Sequence, residues 1–314
     1  MTPPFAATDL LFLLAAVPAA ALGGSLFLKG VLGVAAWLRL PKMLVATTLA
    51  AFATSAPELV VSSMAALAGK PGIGLGNALG ANVVNAGLIM GLVLLFGALR
   101  VPPDAFRRDF AFALGVPVLT MVLVLDGVVS RGDGVTLLVV FGLWMVLVVR
   151  QAVSHRREVP AQTGPPVDPV RAWLHVLVGV AGLVLAGHLF VVGASGIAVT
   201  LGVSAYVIGA TIVALGTTMP ELVTVVASRL RGHDDVGLGT LLGSNLFNGL
   251  AIVGLAASIH PIPAPVSEVA VALAFGFLTV LLMLPRDGGL SRRRGLALVG
   301  AYAGFAMLTM ASPL

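Results

Sequence analysis

The sequence predicts an all-α integral membrane protein of about ten transmembrane helices, arranged as two inverted five-helix repeats. Composition, a succession of charge-sparse segments and an internal repeat carry that prediction. Of 314 residues, 59% are hydrophobic and only 10% charged, against roughly a quarter charged in a soluble domain. Mean hydropathy is +1.08. The 18 Lys and Arg exceed the 13 Asp and Glu, giving a net charge of +5 and a pI near 10.4. In a soluble chain that balance would raise the question of nucleic acid. In a membrane chain it reflects basic cytoplasmic loops, so no nucleic-acid partner is expected. With no cysteine, disulfides, thiolate metal sites and cysteine catalysis are excluded.

About 20 apolar residues suffice to cross a bilayer as a helix. Ten charge-sparse stretches are predicted spans: 9–38, 43–68, 73–99, 109–126, 134–150, 172–201, 205–229, 235–259, 265–285 and 295–312. The first resembles a signal peptide, with Ala19, Ala20 and Ala21 as a mock cleavage site, but no Lys or Arg precedes it. A signal peptide needs that positive end, so the stretch reads as the first span. Residues 151–170 carry His155, Arg156 and Arg157, then Pro160, Pro165, Pro166 and Pro169. They form the one segment of loop composition, a cytoplasmic linker between repeats at 1–150 and 171–314.

The halves repeat at an offset of 163 residues. From Gly24 on Gly187 to Gly91 on Gly254 the register holds without a gap, and 25 of 68 positions are identical. Thr54-Ser-Ala-Pro-Glu-Leu-Val60 falls on Thr217-Thr-Met-Pro-Glu-Leu-Val223. Gly74-Leu-Gly-Asn-Ala-Leu-Gly-Ala-Asn-Val-Val-Asn85 falls on Gly237-Leu-Gly-Thr-Leu-Leu-Gly-Ser-Asn-Leu-Phe-Asn248. An offset of five spans, an odd number, inverts the second copy. The charges agree: Arg39 and Lys42 become Gly202 and Ala205, while Ala66 and Ala68 become Arg229 and Arg231. With both termini outside, 15 of the 18 Lys and Arg fall on the inner side; the exceptions are Lys29, Lys70 and Arg131. Inverted repeats are a transporter architecture, with the site near the midplane where the copies meet.

An acid at the centre of a span costs roughly 2.5–3.5 kcal/mol on insertion scales and reads as functional by default. Glu58 and Glu221 occupy equivalent places in the second and seventh spans, each after a proline, Pro57 or Pro220. Proline displaces the carbonyl four residues back, which frees the C=O groups of Ala53 and Gly216. Freed carbonyls suit a hard cation. Thr54 and Thr217 lie one turn before the glutamates and share their face. In the next spans Asn77, Ala81 and Asn85 form a stripe at spacing four, answered by Thr240, Ser244 and Asn248. The glycines at 76, 80, 87, 91, 239, 243 and 254 are expected to bring these helices close to the kinked ones. Two bidentate carboxylates and two carbonyls supply six oxygens, which fits Ca²⁺, a cation of about six to eight oxygen ligands, better than Mg²⁺. Without His or Cys in the stripe, zinc and copper are disfavoured.

These residues resemble the Ca²⁺/cation antiporters, specifically the Na⁺/Ca²⁺ exchanger family of prokaryotic type. Its two alpha repeats read Gly-Thr-Ser-x-Pro-Glu and Gly-Asn-x-x-Gly-Ser-Asn-x-x-Asn/Asp. The resemblance covers the repeat cores closely; spans four, five, nine and ten match in hydrophobic character alone. It implies that Glu58 and Glu221 are shared ligands of Ca²⁺ and Na⁺. Thr54 and Thr217 would add oxygens there, with the backbone carbonyls of Ala51 and Ala214. Ser55, Thr218, Ser244, Asn85 and Asn248 would line Na⁺ sites. It also implies alternating access by sliding of spans one and six, whose glycines, among them Gly23, Gly24, Gly30, Gly33, Gly187, Gly193 and Gly196, are compatible with that motion. Three departures stand out. Ala53 replaces a glycine, Ala81 a serine, and Asn248 an aspartate found in many relatives. They leave open the number of coupled Na⁺ ions and the choice of Na⁺ over H⁺.

The expectation is therefore a secondary antiporter of the cell (inner) membrane exchanging Ca²⁺ for Na⁺. It needs no cofactor, and its partners are the transported cations and membrane lipid, with no obligate protein partner. An H⁺/Ca²⁺ exchanger, or an exchanger of Mg²⁺ or Mn²⁺, is the alternative. A channel gains nothing from inverted copies around an acid pair. An intramembrane enzyme using the glutamates as acid and base is opposed by scattered histidines at 155, 175, 188, 233 and 260. His188, the one placed deep in a span, is expected to pack with a hydrogen bond.

Overall fold

The computed structural model describes residues 7–67, 69, 71–100, 107–158, 168–200, 214–285 and 289–311. Helix α1 is Ala7–Leu38. The second span is broken into α2, Lys42–Thr54, and α3, Ala56–Leu67, bent by 44° at Ser55. Then come α4, Pro71–Leu95, α5, Arg107–Leu123, and α6, Arg131–Glu158. In the second half α7 is Pro169–Thr200, followed by α8, Ala214–Thr217, and α9, Met219–Leu230. The last three are α10, Asp234–Ile259, α11, Val266–Leu282, and α12, Arg292–Ala311.

Ten spans correspond to these twelve helices, because the second and seventh are interrupted. Among the described residues, five helices are long and apolar enough to cross a bilayer alone, and the bent α2–α3 pair makes a sixth. Of the rest, α5 and α11 have 17 residues each, α12 begins with three arginines, and the first part of the seventh span falls at 201–213, outside the described residues. Leu11, Leu14, Val139 and Leu177 are exposed on α1, α6 and α7, as lipid-facing side chains must be. Helix α6 continues past residue 150 to Glu158. No proline or glycine occurs there before Pro160, so the expected linker begins as helix.

The 163-residue offset holds in the backbone as well as the letters. Both α4 and α10 widen into π-helical turns, at Val84–Ile89 and Phe247–Ile252, and these are equivalent positions. The breaks at Ser55 and Thr218 are equivalent too, with matching backbone angles, φ −83°, ψ 10° and φ −84°, ψ 3°. Four two-residue strands lie at the ends of the bundle: β1, Leu99–Arg100, β2, Val128–Val129, β3, Ile262–Pro263, and β4, Gly289–Leu290. Antiparallel pairing joins β1 to β4 and β2 to β3, so each end ties one repeat to the other. Arg229 and Arg292 reach the carbonyls of Ala98 and Phe96, which places both at the β1–β4 end.

The apolar interior divides in two. A large cluster includes Leu79, Met90, Val116, Trp144, Leu246 and Leu273, from α4, α5, α6, α10 and α11. A smaller one joins Phe27, Leu28, Val31, Val45, Val176 and Leu183. Helices α1 and α7 meet along a glycine seam: a Cβ on Gly30 would stand 2.5 Å from the backbone nitrogen of Val176, and one on Gly23 2.8 Å from that of Leu183. Backbone approaches backbone there because nothing else fits.

Two expectations are corrected by the packing. Of the stripe glycines, Gly239 and Gly243 face the kinked second span, meeting Thr47. Gly87 and Gly91 admit α12, Gly254 admits α6, and Gly76 faces open space. Spacing identifies a close approach without saying to which neighbour. His188 is exposed rather than packed inside, because α7 turns that face away from the bundle.

Candidate cation site

The breaks in the second and seventh spans place both glutamates in the first turn of a new helix. Ser55 and Thr218 still donate their N–H groups to Ala51 and Ala214, at 2.9 and 3.1 Å. Pro57 and Pro220 have no N–H to donate, so the ladder lapses there and the acids follow at once. Glu58 and Glu221 are fully buried. All the other expected side chains, Thr54, Ser55, Thr217, Thr218, Ser244, Asn85 and Asn248, are buried as well.

Around Glu221 a network crosses between the repeats. Its Oε1 accepts the Ser55 hydroxyl at 3.1 Å and the Ser244 hydroxyl at 2.9 Å. Thr54 Oγ1 lies 3.4 Å from Ser244 Oγ and also donates to the Ala51 carbonyl at 3.3 Å. Thr217 Oγ1 is 3.1 Å from the Ala214 carbonyl and 3.3 Å from Asn77 Oδ1. The carbonyls of Ala51 and Ala214 thus each accept a backbone N–H and a threonine hydroxyl. Thr218 turns its hydroxyl back to the Leu215 carbonyl at 3.1 Å. Glu58 has no hydrogen-bond partner at either carboxylate oxygen.

A second tie was not singled out from the sequence. Asn82 Nδ2 donates to the Asn245 carbonyl at 3.2 Å, and Asn245 Nδ2 donates to the Asn82 carbonyl at 3.3 Å. These residues are 163 apart, so the pair is reciprocal across the pseudo-twofold axis and pins α4 to α10 just before both π turns. Asn85 Nδ2 adds a bond to Asn245 Oδ1 at 3.1 Å. Identity of Asn82 and Asn245 in the aligned repeats was the available signal. The stripe at spacing four passed over it, and that spacing assumes a regular α-helix which the π turns interrupt.

Buried polar atoms are nearly always paired, and orphaned ones cost about 1–3 kcal/mol each, more when charged. Around the two glutamates six carboxylate and amide oxygens have no partner: both of Glu58, Oε2 of Glu221, and Oδ1 of Asn82, Asn85 and Asn248. They are carboxylate and amide oxygens, the donor set of a hard cation. Among the described residues no cluster of three or more His, Cys, Asp or Glu occurs, so the charge here comes from two acids and the remaining ligands are neutral.

Comparison with known proteins bears on what such a chain does. The family model for sodium/calcium exchanger protein matches residues 8–150 and 171–311. A putative antiporter, CaxA of Alkalimonas amylolytica, is 33% identical, covering 91% of this chain and 93% of that protein. The inner membrane protein YrbG of Escherichia coli K12 is 31% identical over 88% of this chain and 89% of its own length. Among solved structures, the sodium-calcium exchanger NCX_Mj soaked with Na⁺ and Sr²⁺ superimposes with a TM-score of 0.81 at 26% identity, covering 98% of this chain and 99% of the other.

Proposed function

The chain belongs to the sodium/calcium exchanger protein family, and from that premise we propose that it exchanges Ca²⁺ for Na⁺ by alternating access at a midplane site built on Glu58 and Glu221. It is a membrane transporter of cations and not an enzyme. The observation that carries the finer reading is the pair of fully buried acids at matching helix breaks, with Glu58 unpartnered at both oxygens. Two carboxylates neutralise one Ca²⁺, and in a low-dielectric interior the unpaired alternative is costly. The same charge is balanced by Na⁺ ions or protons, so the loads exclude one another. Coupling follows when the empty, doubly charged site crosses poorly. No cofactor takes part.

In this reading Glu58, Glu221 and the carbonyls of Ala51 and Ala214 bind the divalent ion, with Thr54 and Thr217. Ser55, Thr218, Ser244, Asn85 and Asn248 serve Na⁺. The paired α1 and α7 slide as one body, since their glycine seam fuses them backbone to backbone. The β1–β4 end, which carries Arg229, Arg231 and Arg292, faces the cytoplasm by the positive-inside rule, so both termini lie outside the inner membrane.

A specific observation favours a second reading. Ala81 supplies no hydroxyl and Asn248 no charge, which thins the Na⁺ ligands and leaves room for H⁺ coupling, or for Mg²⁺ or Mn²⁺ in place of Ca²⁺. Radioactive Ca²⁺ uptake into proteoliposomes separates them. Uptake is expected to need an outward Na⁺ gradient; uptake driven by an outward H⁺ gradient alone would replace Na⁺ with H⁺. No uptake under either gradient would remove Ca²⁺ from the account.

A further inference from the structure

Helix α9 carries more polar atoms than the site uses. Thr224 and Ser228 lie three and seven residues after Glu221, on its face of the helix. Both are fully buried, and neither hydroxyl has a hydrogen-bond partner. That is unusual among the described residues. Hydroxyls in these helices commonly bond the carbonyl one turn back, as do Thr47, Thr48, Thr136, Thr240, Ser258 and Thr279. Thr224 and Ser228 decline that local bond. Thr120 on α5 does so too, but it stands alone on a helix without a central acid.

The face leads somewhere. It runs from Glu221 to the β1–β4 end along the seam with α10, where Gly237 packs against Val225 and Ser228. Seven residues of helix span about 10 Å. At the foot stands Asp234, with one oxygen on Arg229 at 2.6 Å and the other, Oδ1, buried without a partner. Arg229 is held by that bond and by the Ala98 carbonyl at 3.2 Å, so its charge is committed at the exit. The equivalent face of α3, which runs from Glu58 to the opposite end, has Val61 and Ala65 in place of the hydroxyls.

From this we infer that Thr224, Ser228 and Asp234 form a cation relay linking the central site to the β1–β4 end of the molecule, one that the equivalent positions of α3, Val61 and Ala65, do not repeat toward the opposite end. Each hydroxyl replaces part of the hydration shell of a hard cation as it leaves water. The relay acts on the barrier for ion entry and exit at one face and leaves the equilibrium affinity of the central site unchanged.

The inference rests on the antiport reading above, and its test keeps the two apart. Ca²⁺ flux is measured from each face separately, in right-side-out and inverted membrane vesicles, for wild type and a Thr224→Val, Ser228→Ala double variant. The half-saturating Ca²⁺ at the β1–β4 face, set there by the rate of ion entry against that of translocation, is expected to rise about tenfold, two modest hydroxyl contacts at roughly threefold each. The opposite face and equilibrium Ca²⁺ binding to the purified protein should stay within about twofold. Equal shifts at both faces, no shift, or lost equilibrium binding would overturn the relay. A Val61→Thr, Ala65→Ser variant provides an independent arm: it should lower the half-saturating Ca²⁺ at the opposite face alone, and the absence of that effect counts against the relay. Wild-type vesicles without Ca²⁺ flux would sink the antiport reading and the relay together, whereas normal wild-type flux with unshifted variants sinks the relay alone.

Discussion

The two halves of the candidate site carry the same acid after the same helix break, yet they hold it differently. Glu221 is anchored at Oε1 by Ser55 and Ser244. By the 163-residue offset, the corresponding donors for Glu58 are Thr218 and Ala81. Thr218 spends its hydroxyl on Leu215 and Ala81 has none to give, so Glu58 is unbound at both oxygens. The two repeats share the acid and differ in what supports it. One carboxylate is preorganised and the other waits for its charge partner, a division that a symmetric site would not show.

The largest way to break this comparison is to remove the charges. Glu58→Gln and Glu221→Gln keep the shape and lose the carboxylate, and each is expected to lower Ca²⁺ uptake by about a hundredfold, the upper range for a contact to a charged group. Substantial uptake in either variant would mean that one acid suffices. Next come the anchors of Glu221. Ser55→Ala or Ser244→Ala should weaken Ca²⁺ binding by about tenfold, one charge-assisted hydrogen bond each, as read by titration calorimetry.

Restoring symmetry is the sharper test. Ala81→Ser supplies Glu58 with the hydroxyl that Glu221 already has, and should improve the Na⁺ half-saturation of exchange by about threefold to tenfold. If Na⁺ dependence does not move, the missing serine is not what separates the halves. The smallest effect is predicted for Thr218→Val. Its hydroxyl faces its own helix, so Ca²⁺ binding should change by less than about twofold. A change as large as that of Ser55→Ala would show that Thr218 reaches the ion after all.

Much of this was legible in the letters. Hydropathy and charge placed the spans, and the offset that superposes Pro57-Glu58 on Pro220-Glu221 located the acids and implied the inversion. Legibility ended where partners had to be chosen. Sequence shows that Ser244 and Ala81 are equivalent, but only packing brings Ser244 to Glu221. The Asn82–Asn245 clasp and the π turns beside it depend on how α4 and α10 cross, which a spacing rule for regular helices does not contain. Glycines gave the same lesson: Gly243 and Gly254 look alike in sequence, yet one meets Thr47 and the other Gly134. His188 was misplaced because hydropathy measures depth in the membrane and not direction around the helix.

The central claim, that the paired glutamates form one site shared by Ca²⁺ and Na⁺, is tested most directly by equilibrium binding of radioactive Ca²⁺ to purified protein across a Na⁺ titration, for wild type, Glu58→Gln and Glu221→Gln. The account predicts Ca²⁺ binding that Na⁺ displaces in wild type and that is lost in both variants. Ca²⁺ binding that survives either substitution, or that Na⁺ leaves untouched, would contradict it.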